Sequence, residues 1–523
     1  MATPLFVLAL LAMIGDGESF QHIKQTVLAD YIINTVLLTF FVAVLVLCIG
    51  VPLAWLLANC EFAGKRFFNW ALVLPLAMPA YIVAYTYTDL LDYAGPVQVG
   101  LRQWFGWTSP QDYWFFEIRS IGGAAVMLAL VLYPYVYLMT RASFLEQNAN
   151  LTQAARMLGA SPVKSFFKVS LPLARAAIFA GTALVLMETI ADFATVNYFA
   201  VSTLTTAVYD TWLGHYDLAS AAKLSCLMVL GVLSLLMLEH AQNRNKGTSN
   251  DAKSSVLEIN YRLTGWKNWA AFSFCGLVLL LAFLIPALQL ALYAVNYFDQ
   301  IWSSELATFA KNSFVIAVIT AFVAFSLALL LSHNQRMKSH AWQSGSLKLA
   351  STGYAIPGTV LAIGVLIPLT FLDNWVNDLM VYAGYSPLGL VFSGTVFAII
   401  CTHLVRFTAI ANKSLEASYQ KISPSLDMAA KTLGTSERKL MWRIHLPLIK
   451  RSGLVAALLI FVESMKELPA ALLLRPFDFH TLPTYVFQFA SDEQLELASL
   501  GAIMIVLVGL VPLIFINRSI DHQ

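Results

Sequence analysis

Charged residues are scarce in this chain. Only 12% of its 523 residues are Asp, Glu, Lys or Arg, and 59% are hydrophobic, whereas a soluble domain carries about 25% charged residues. The five cysteines are scattered and form no Cys-x-x-Cys pair, so neither a disulfide framework nor a cysteine zinc site is predicted. The shortage of charge excludes an ordinary soluble domain.

Motifs for nucleotide binding and catalysis are also missing. Gly64-Lys65-Arg66 lacks the upstream glycine and the hydroxyl residue of a phosphate-binding loop. The nine histidines show no His-Glu-x-x-His spacing, and nothing arranges Ser, His and Asp as a triad. We therefore expect no enzyme activity, no cofactor bound by this chain and no nucleic-acid partner, and no metal ligands can be assigned. For His403, close to Arg406, we predict a structural hydrogen bond.

Long apolar stretches are abundant and have the length of membrane-spanning helices, roughly 20 residues. They predict an all-α polytopic membrane protein with eleven full spans and one partial span. The full spans are expected at about 31–58, 70–91, 121–140, 173–199, 219–238, 268–295, 312–331, 347–371, 388–411, 452–474 and 497–516.

The partial span is the N-terminal stretch, because residues 1–14 are apolar but too short to cross a bilayer. Its counterpart in the second half begins near Trp269, well before the equivalent proline. The first helix is therefore expected to lack its leading half, through a mis-assigned start codon or a real truncation. A signal peptide fits poorly, because there is no basic segment before the apolar run.

One loop occurs twice. The first repeated loop (residues 153–172) and the second repeated loop (residues 428–447) align at an offset of 275 without a gap. Each contains an alanine pair, a glycine and a Leu-Pro pair. These residues are Ala154, Ala155, Gly159, Leu171 and Pro172 in the first loop, and Ala429, Ala430, Gly434, Leu446 and Pro447 in the second.

Local chemistry predicts two short helices joined by a turn in each loop. Ser423-Pro424 supplies an N-cap followed by proline at the first helical position. Gly159 and Gly434 stand where a left-handed residue would end the first helix. Leu-Pro is expected to close the second helix, because proline lacks an N–H donor. The alanines are expected to let a partner surface approach closely.

This pattern resembles the EAA loop of ABC importer permeases, which docks on the ATPase subunit. The departure from the family pattern is the leading glutamate, which is replaced by Gln153 and Met428. The resemblance implies two tandem type I transmembrane domains of about six helices each, and it makes the alanines, glycines and Leu-Pro pairs the residues of the ATPase-coupling loops.

The two halves also match outside the loop. Asn34 pairs with Asn312 and Pro79 with Pro357 at an offset of 278. An even number of spans per half predicts a parallel repeat about a pseudo-two-fold axis normal to the membrane. We expect a first transmembrane domain at 1–241, a cytoplasmic linker at 242–265 and a second transmembrane domain at 266–523.

Basic residues predict the orientation. Most of the 32 Lys and Arg residues lie in loops on the side of the repeated motif and the C-terminus, which should therefore be cytoplasmic. Five lie on the opposite side: Lys24, Arg102, Arg119, Lys311 and Arg475.

Carboxylates follow each repeated loop within apolar sequence. Glu188 and Asp192 are four residues apart, as are Glu463 and Glu467, so each pair is expected to share a helix face. Intramembrane carboxylates usually face a cavity and mark a pathway. The alternative is a structural clasp in which Lys466 pairs with Glu463 or with a carboxylate of the other half.

The stretches 187–199 and 466–477, with 203–209, resemble fused ferric-iron importer permeases, and the resemblance covers nearly the whole chain. It implies an inner-membrane permease that receives Fe³⁺ from a periplasmic binding protein and works with two copies of an ATPase that uses ATP and Mg²⁺. Oxygen ligands such as carboxylates suit hard Fe³⁺. The same machinery could carry thiamine, a polyamine or another small solute, and an ion-driven transporter or channel is an alternative from another class.

Overall fold

The described chain is almost entirely helical. The computed structural model describes residues 3–147, 157–159, 161–244, 261–337 and 353–520. Within these ranges the only strands are two-residue segments, Cys60–Glu61 (β1) and Tyr261–Arg262 (β2), paired in parallel. Helices satisfy their backbone hydrogen bonds internally, as a segment in lipid must. The all-α prediction is confirmed.

The helices fall into two runs on either side of residue 261. The first run is α1 (Thr3–Ile14), α2 (Glu18–Thr26), α3 (Leu28–Asn59), α4 (Lys65–Ala71), α5 (Ala80–Leu91), α6 (Pro96–Phe105), α7 (Ile121–Leu145), α8 (Pro162–Ser165), α9 (Leu171–Ala191), α10 (Ala194–Tyr198), α11 (Leu204–Tyr209) and α12 (Leu218–Arg244). The second run is α13 (Trp266–Leu279), α14 (Ile285–Asn296), α15 (Phe298–Ile301), α16 (Ser304–Met337), α17 (Gly358–Tyr382), α18 (Val396–Gln420), α19 (Pro424–Thr432), α20 (Glu437–Leu440), α21 (Leu446–Lys466), α22 (Pro469–Leu474), α23 (Leu482–Ser491) and α24 (Leu495–Ile520).

Short 3₁₀ and π-helical segments interrupt or extend these α-helices. The 3₁₀ turns are Leu74–Ala77, Pro110–Asp112 and Gly353–Ala355, and the π-helical turns are Phe166–Ser170, Asp210–Gly214, Leu280–Leu284 and Met441–His445.

Membrane-spanning helices are numerous, as the apolar stretches predicted. Among the described residues, nine helices are long and apolar enough to cross a membrane, and up to twelve if each of three bent helix pairs counts as one span. The predicted total of eleven full spans and one partial span lies within this range.

Several predicted spans are not continuous helices, and 452–474 is one of them, because α21 ends at Lys466 and α22 begins at Pro469. The predicted span 70–91 is broken before Pro79, where segments 65–77 and 80–105 meet at 91°. Pro79 has no N–H, and it caps the N-terminus of α5 with φ −57° and ψ 142°. Pro357 occupies the same place before α17. The predicted span 173–199 is wrong in its second part, because α9 ends at Ala191.

Packing divides the chain into two compact units that differ from its sequential halves. One unit contains residues 1–26, 207–229 and 297–523, and the other contains 27–206 and 230–296. In the first unit, α1 packs on α17. In the second, α14 packs on α5, and Tyr87 Oη donates to the Leu281 carbonyl at 2.6 Å. The division at 241 and 266 follows the sequence repeat and stays a prediction.

Helix α2 is tied to the start of α12 by Asp217. This carboxylate accepts hydrogen bonds from the Ser19 N–H at 3.1 Å and from Ser220 N–H and Oγ at 2.9 and 2.6 Å. Partial burial opposes the charge of Asp217, but these hydrogen bonds prevail and lower its pKa to about 2.

Candidate functional site

The second repeated loop contains the predicted capped helix and glycine turn. Ser423 is the N-cap of α19, where its Oγ accepts the Ser425 N–H at 3.3 Å. Helix α19 ends at Thr432, and Gly434 follows with φ +74°. The Thr435 N–H then donates to the Ala430 carbonyl at 3.0 Å, which closes the turn. Both predictions of local geometry are confirmed for this loop.

Only part of the first repeated loop can be compared with it. Gly159 has φ +76°, so the left-handed glycine turn is present here too. Ala154 and Ala155 lie outside the described residues. Met157 and Leu158, next to the glycine, are 90% and 88% exposed.

The alanine pair of the second loop faces two directions. Ala430 is buried in this chain, whereas Ala429 is exposed. The exposed surface continues over Met428 and Leu433, which are 63% and 86% exposed. Because these apolar side chains stand in solvent next to a tight turn, they have the character of a contact surface for another protein.

The Leu-Pro pairs start the long helices, so the prediction that they close a short helix is wrong. Leu171 and Leu446 are the first residues of α9 and α21, with Pro172 and Pro447 in the first turn. The π-helical turns before them carry the chain into these helices. Proline is tolerated in the first turn of a helix, where its missing N–H is not needed, and so the chain continues.

A buried ionic cluster braces the second repeated loop, and sequence reasoning missed it. Asp427 Oδ2 accepts from Arg336 Nε at 2.6 Å, and Asp427 Oδ1 lies 2.8 Å from His445 Nε2. Partial burial opposes ionisation of Asp427, but hydrogen bonds from His445 and Arg336 prevail and hold its pKa below the usual value. The signal in the sequence was the pair Asp427 and His445, an acid and a histidine near the two ends of the second repeated loop.

Asp192 does not share a helix face with Glu188, contrary to the prediction. Helix α9 ends at Ala191, and Asp192 is extended, with φ −68° and ψ 129°. Its carboxylate accepts the N–H groups of Thr195 and Val196 at 3.0 and 3.2 Å, together with Thr195 Oγ1 at 3.0 Å. Asp192 thus caps the short helix α10. Glu188 is half-buried on α9.

Glu467 repeats this arrangement in the second half. It follows the end of α21 and accepts the N–H groups of Ala470 and Ala471 at 3.1 and 3.2 Å. It therefore does not share a helix face with Glu463, and that prediction is also wrong. Glu463 accepts from Lys466 Nζ at 2.8 Å, so the pairing of Lys466 with Glu463 is present.

Two basic side chains surround the Glu467 carboxylate. His403 Nε2 and Arg406 Nη1 each lie 3.3 Å from it, and only 2% of the Glu467 side chain is exposed. His403 Nδ1 is 2.8 Å from Ser464 Oγ, which confirms the structural hydrogen bond predicted for His403. The cluster neutralises a carboxylate that would be costly to bury alone.

No group of three or more His, Cys, Asp or Glu side chains that could hold a metal ion occurs within the described ranges. The four carboxylates predicted to line a pathway thus do not converge there into a resident metal site. Instead, two of them serve as helix caps and one is paired with a lysine.

Comparison with known proteins places these features in a family. The family model "Binding-protein-dependent transport system inner membrane component" matches residues 50–247. The Fe(3+)-transport system permease protein FbpB 2 of Haemophilus influenzae is 24% identical over 522 residues, which cover 98% of this chain and 94% of that protein. The ferric transport system permease protein FbpB of Actinobacillus pleuropneumoniae is 23% identical, covering 97% of this chain and 74% of that protein.

A third relative matches a shorter region more closely. The molybdenum transport system permease protein ModB of Haemophilus influenzae is 30% identical over 224 residues, which cover 40% of this chain and 94% of that protein. Together with the apolar helices and the doubled loop, these similarities show a transport component of the inner membrane: the chain belongs to the family of binding-protein-dependent transport system inner membrane components, the permeases of ABC importers.

Proposed function

We propose that this permease moves ferric iron from a periplasmic binding protein into the cytoplasm. The support for iron is the similarity along nearly the whole chain to two permeases named for ferric transport. The relative named for molybdenum transport covers only 40% of this chain. Carboxylates on the helices that follow the repeated loops suit an Fe³⁺ pathway, because hard cations prefer oxygen ligands.

The repeated loops are the proposed docking sites for two copies of an ATPase, which use ATP and Mg²⁺. The observation that carries this proposal is the exposed apolar surface beside each glycine turn. Leu158 and Leu433 are 275 positions apart in the sequence and 88% and 86% exposed. Large apolar side chains held out on an ordered turn favour a protein partner over solvent.

The orientation that this mechanism needs places both loops and the C-terminus in the cytoplasm. Four exposed positions test it: Asp112 and Asp378 on one side, Lys164 and Lys439 on the other. Each is changed singly to cysteine in a cysteine-free chain and treated with a membrane-impermeant maleimide on intact cells. The two aspartate positions should be labelled, and the two lysine positions only after lysis. The reverse pattern would remove the loops from the ATPase side.

For the pathway itself, we propose Glu188 and Glu463, which occupy equivalent positions on α9 and α21. Asp192 and Glu467 remain beside this path, but their oxygen atoms already accept backbone N–H groups. We therefore propose that Asp192 and Glu467 maintain the breaks in the helices. Glu188 and Glu463 are the residues proposed to contact the ion directly.

The substrate is tested in proteoliposomes that contain the permease, its ATPase and its binding protein. Uptake of radioactive Fe³⁺ should require ATP and the loaded binding protein, and a tenfold excess of molybdate should not compete. Uptake of molybdate in place of iron would overturn the iron assignment while leaving the permease intact. Iron uptake without ATP would instead support the ion-driven class.

A further inference from the structure

The two repeated loops are braced by different chemistry. Directly before the second loop, Asp427 lies between Arg336 and His445, and the exposed fractions of Asp427 and His445 are 8% and 0%. The positions equivalent to Arg336, His333 and His445 in the first half are Ala58, Trp55 and Ser170. The ion pair of the second loop thus has no counterpart in residue type in the first.

In the described part of the first loop, aromatic contacts are present beside a hydrogen bond from Gln147 Nε2 to the Ser170 carbonyl. The Phe166 ring meets Trp55 edge-on at 5.4 Å between centroids and meets Phe144 at 6.4 Å. Phe144 stands where the second half has Tyr419. Aromatic packing does not depend on protonation, whereas the bracing of the second loop includes a carboxylate and two imidazoles, which can gain or lose charge.

Arg336 connects three elements of the second half. Its guanidinium donates to Asp427 on α19, and also to the carbonyl oxygens of Tyr419 and Ile422 at 2.6 and 2.9 Å. Tyr419 belongs to the last turn of α18, and Arg336 itself lies in the last turn of α16. A planar guanidinium with several donors suits this role better than a lysine ammonium would.

The histidine pair adds a second contact to α16, because His333 lies on the same helix as Arg336. His445 Nδ1 and His333 Nδ1 are 3.2 Å apart, so this contact needs a hydrogen on one of the two nitrogens and a lone pair on the other. A pair with hydrogens on both Nδ1 atoms would direct two N–H groups at each other. The charged or titratable groups facing the pair are Arg336, Tyr419, Asp427 and Glu437, whose backbone also hydrogen-bonds to His333.

We propose that Arg336, Asp427 and His445 are positioning residues that hold α19 against α16 and α18, so that the position of the second coupling loop depends on protonation. This inference rests on the proposed function of the loops as ATPase-docking sites. When both imidazoles are protonated, the contact between His333 and His445 is lost, which removes one of the contacts that fix the loop at His445 to α16. In the described part of the first loop, the aromatic contacts of Phe166 have no proton to gain.

The test uses the assembled complex of permease and ATPase with a cysteine-free permease chain. Leu158→Cys and Leu433→Cys report on the two loops, since both leucines are equally exposed and equivalent in the repeat. Protection of each thiol from maleimide by the bound ATPase is measured between pH 8 and pH 5.5, a range that includes the ordinary imidazole titration near pH 6.5.

We expect protection at position 433 to fall with pH while protection at position 158 stays constant. His445→Ser, which copies the residue of the first half, should abolish the difference between the loops. Asp427→Asn and Arg336→Lys should lower binding-protein-stimulated ATPase activity by about tenfold, within the usual range of coupling between sites. Complex yield by gel filtration identifies any variant that fails to fold, and the three substitutions test the cluster separately.

Identical pH profiles at the two loops, or full stimulation in folded Asp427→Asn and Arg336→Lys complexes, would overturn the inference. Failure of the proposed function looks different: the ATPase would then protect neither position at any pH. The two failures are therefore distinguishable in one experiment.

Discussion

Asn34 and Asn312 make the same hydrogen bond in the two halves of the chain. Each side-chain amide donates at 3.0 Å to a backbone carbonyl 168 positions later, that of Ser202 or His480. The neighbouring hydroxyls repeat too, since Thr35 Oγ1 accepts the Leu204 N–H and Ser313 Oγ accepts the Leu482 N–H. The sequence repeat is thus also a repeat of tertiary contacts.

These bonds should contribute to stability equally in both halves. Asn34→Ala and Asn312→Ala each remove one hydrogen bond, and each should cost about 1 kcal/mol. Thermal unfolding in detergent, followed by fluorescence size exclusion, measures the loss, with the exposed Asn374→Ala as control. A loss in only one half would show that the repeated contact does not have a repeated effect.

The glycine turns should be required for coupling and not for folding. No atom of the described residues lies within 4 Å of a Cβ built on Gly159 or Gly434, but an L-residue is strained at their positive φ by roughly 1–2 kcal/mol. Gly434→Asp and Gly159→Asp should therefore assemble and lose binding-protein-stimulated ATPase activity. Gly100→Asp, at an equally open position on α6, is the matched control. Wild-type stimulation in both loop variants would argue against docking at these turns.

Substitutions should show that Glu188 acts in the ion pathway and that Asp192 acts as a helix cap. Glu188→Gln should lower iron uptake per assembled complex, because the amide keeps the shape and removes the charge. Asp192→Asn should be tolerated, since Asn caps a helix as well as Asp does, whereas Asp192→Ala should cost about 1 kcal/mol. Radioactive iron uptake and complex yield are measured together. If folded Asp192→Asn lost as much iron uptake as Glu188→Gln, Asp192 would have to be assigned to the ion pathway.

Acid should loosen α2 through Asp217. Its pKa is lowered to about 2 by hydrogen bonds, so its contribution to stability is fully present above the unfolded-state value near 3.9. That contribution is lost as the pH falls through about 2. Protease cleavage within residues 18–26 should rise between pH 4 and pH 2 in the wild type. Asp217→Asn should be cleaved similarly at both pH values, and a wild-type-like rise in that variant would exclude Asp217 as the cause.

Sequence periodicity located the membrane helices well but not their breaks. The first part of the run 70–91 is apolar on both sides of Pro79, so hydropathy gave no reason to divide the run there. The break becomes visible only in three dimensions, where Pro79 caps α5 after a 91° bend. The prediction that the Leu-Pro pairs close a helix was wrong for a related reason. Proline can end a helix or begin one, and the composition on either side of Pro172 permits both.

By itself, the sequence determined the all-α membrane fold, the repeat and the turns at Gly159 and Gly434, because apolar length, residue spacing and backbone preference are local properties. Only the tertiary structure decided what the polar residues do. Asp192 and Glu467 became caps because the helices before them stop at residues 191 and 466. Arg336, 91 positions before Asp427, became its partner because folding brings distant helix ends together, and no local spacing encodes such a contact.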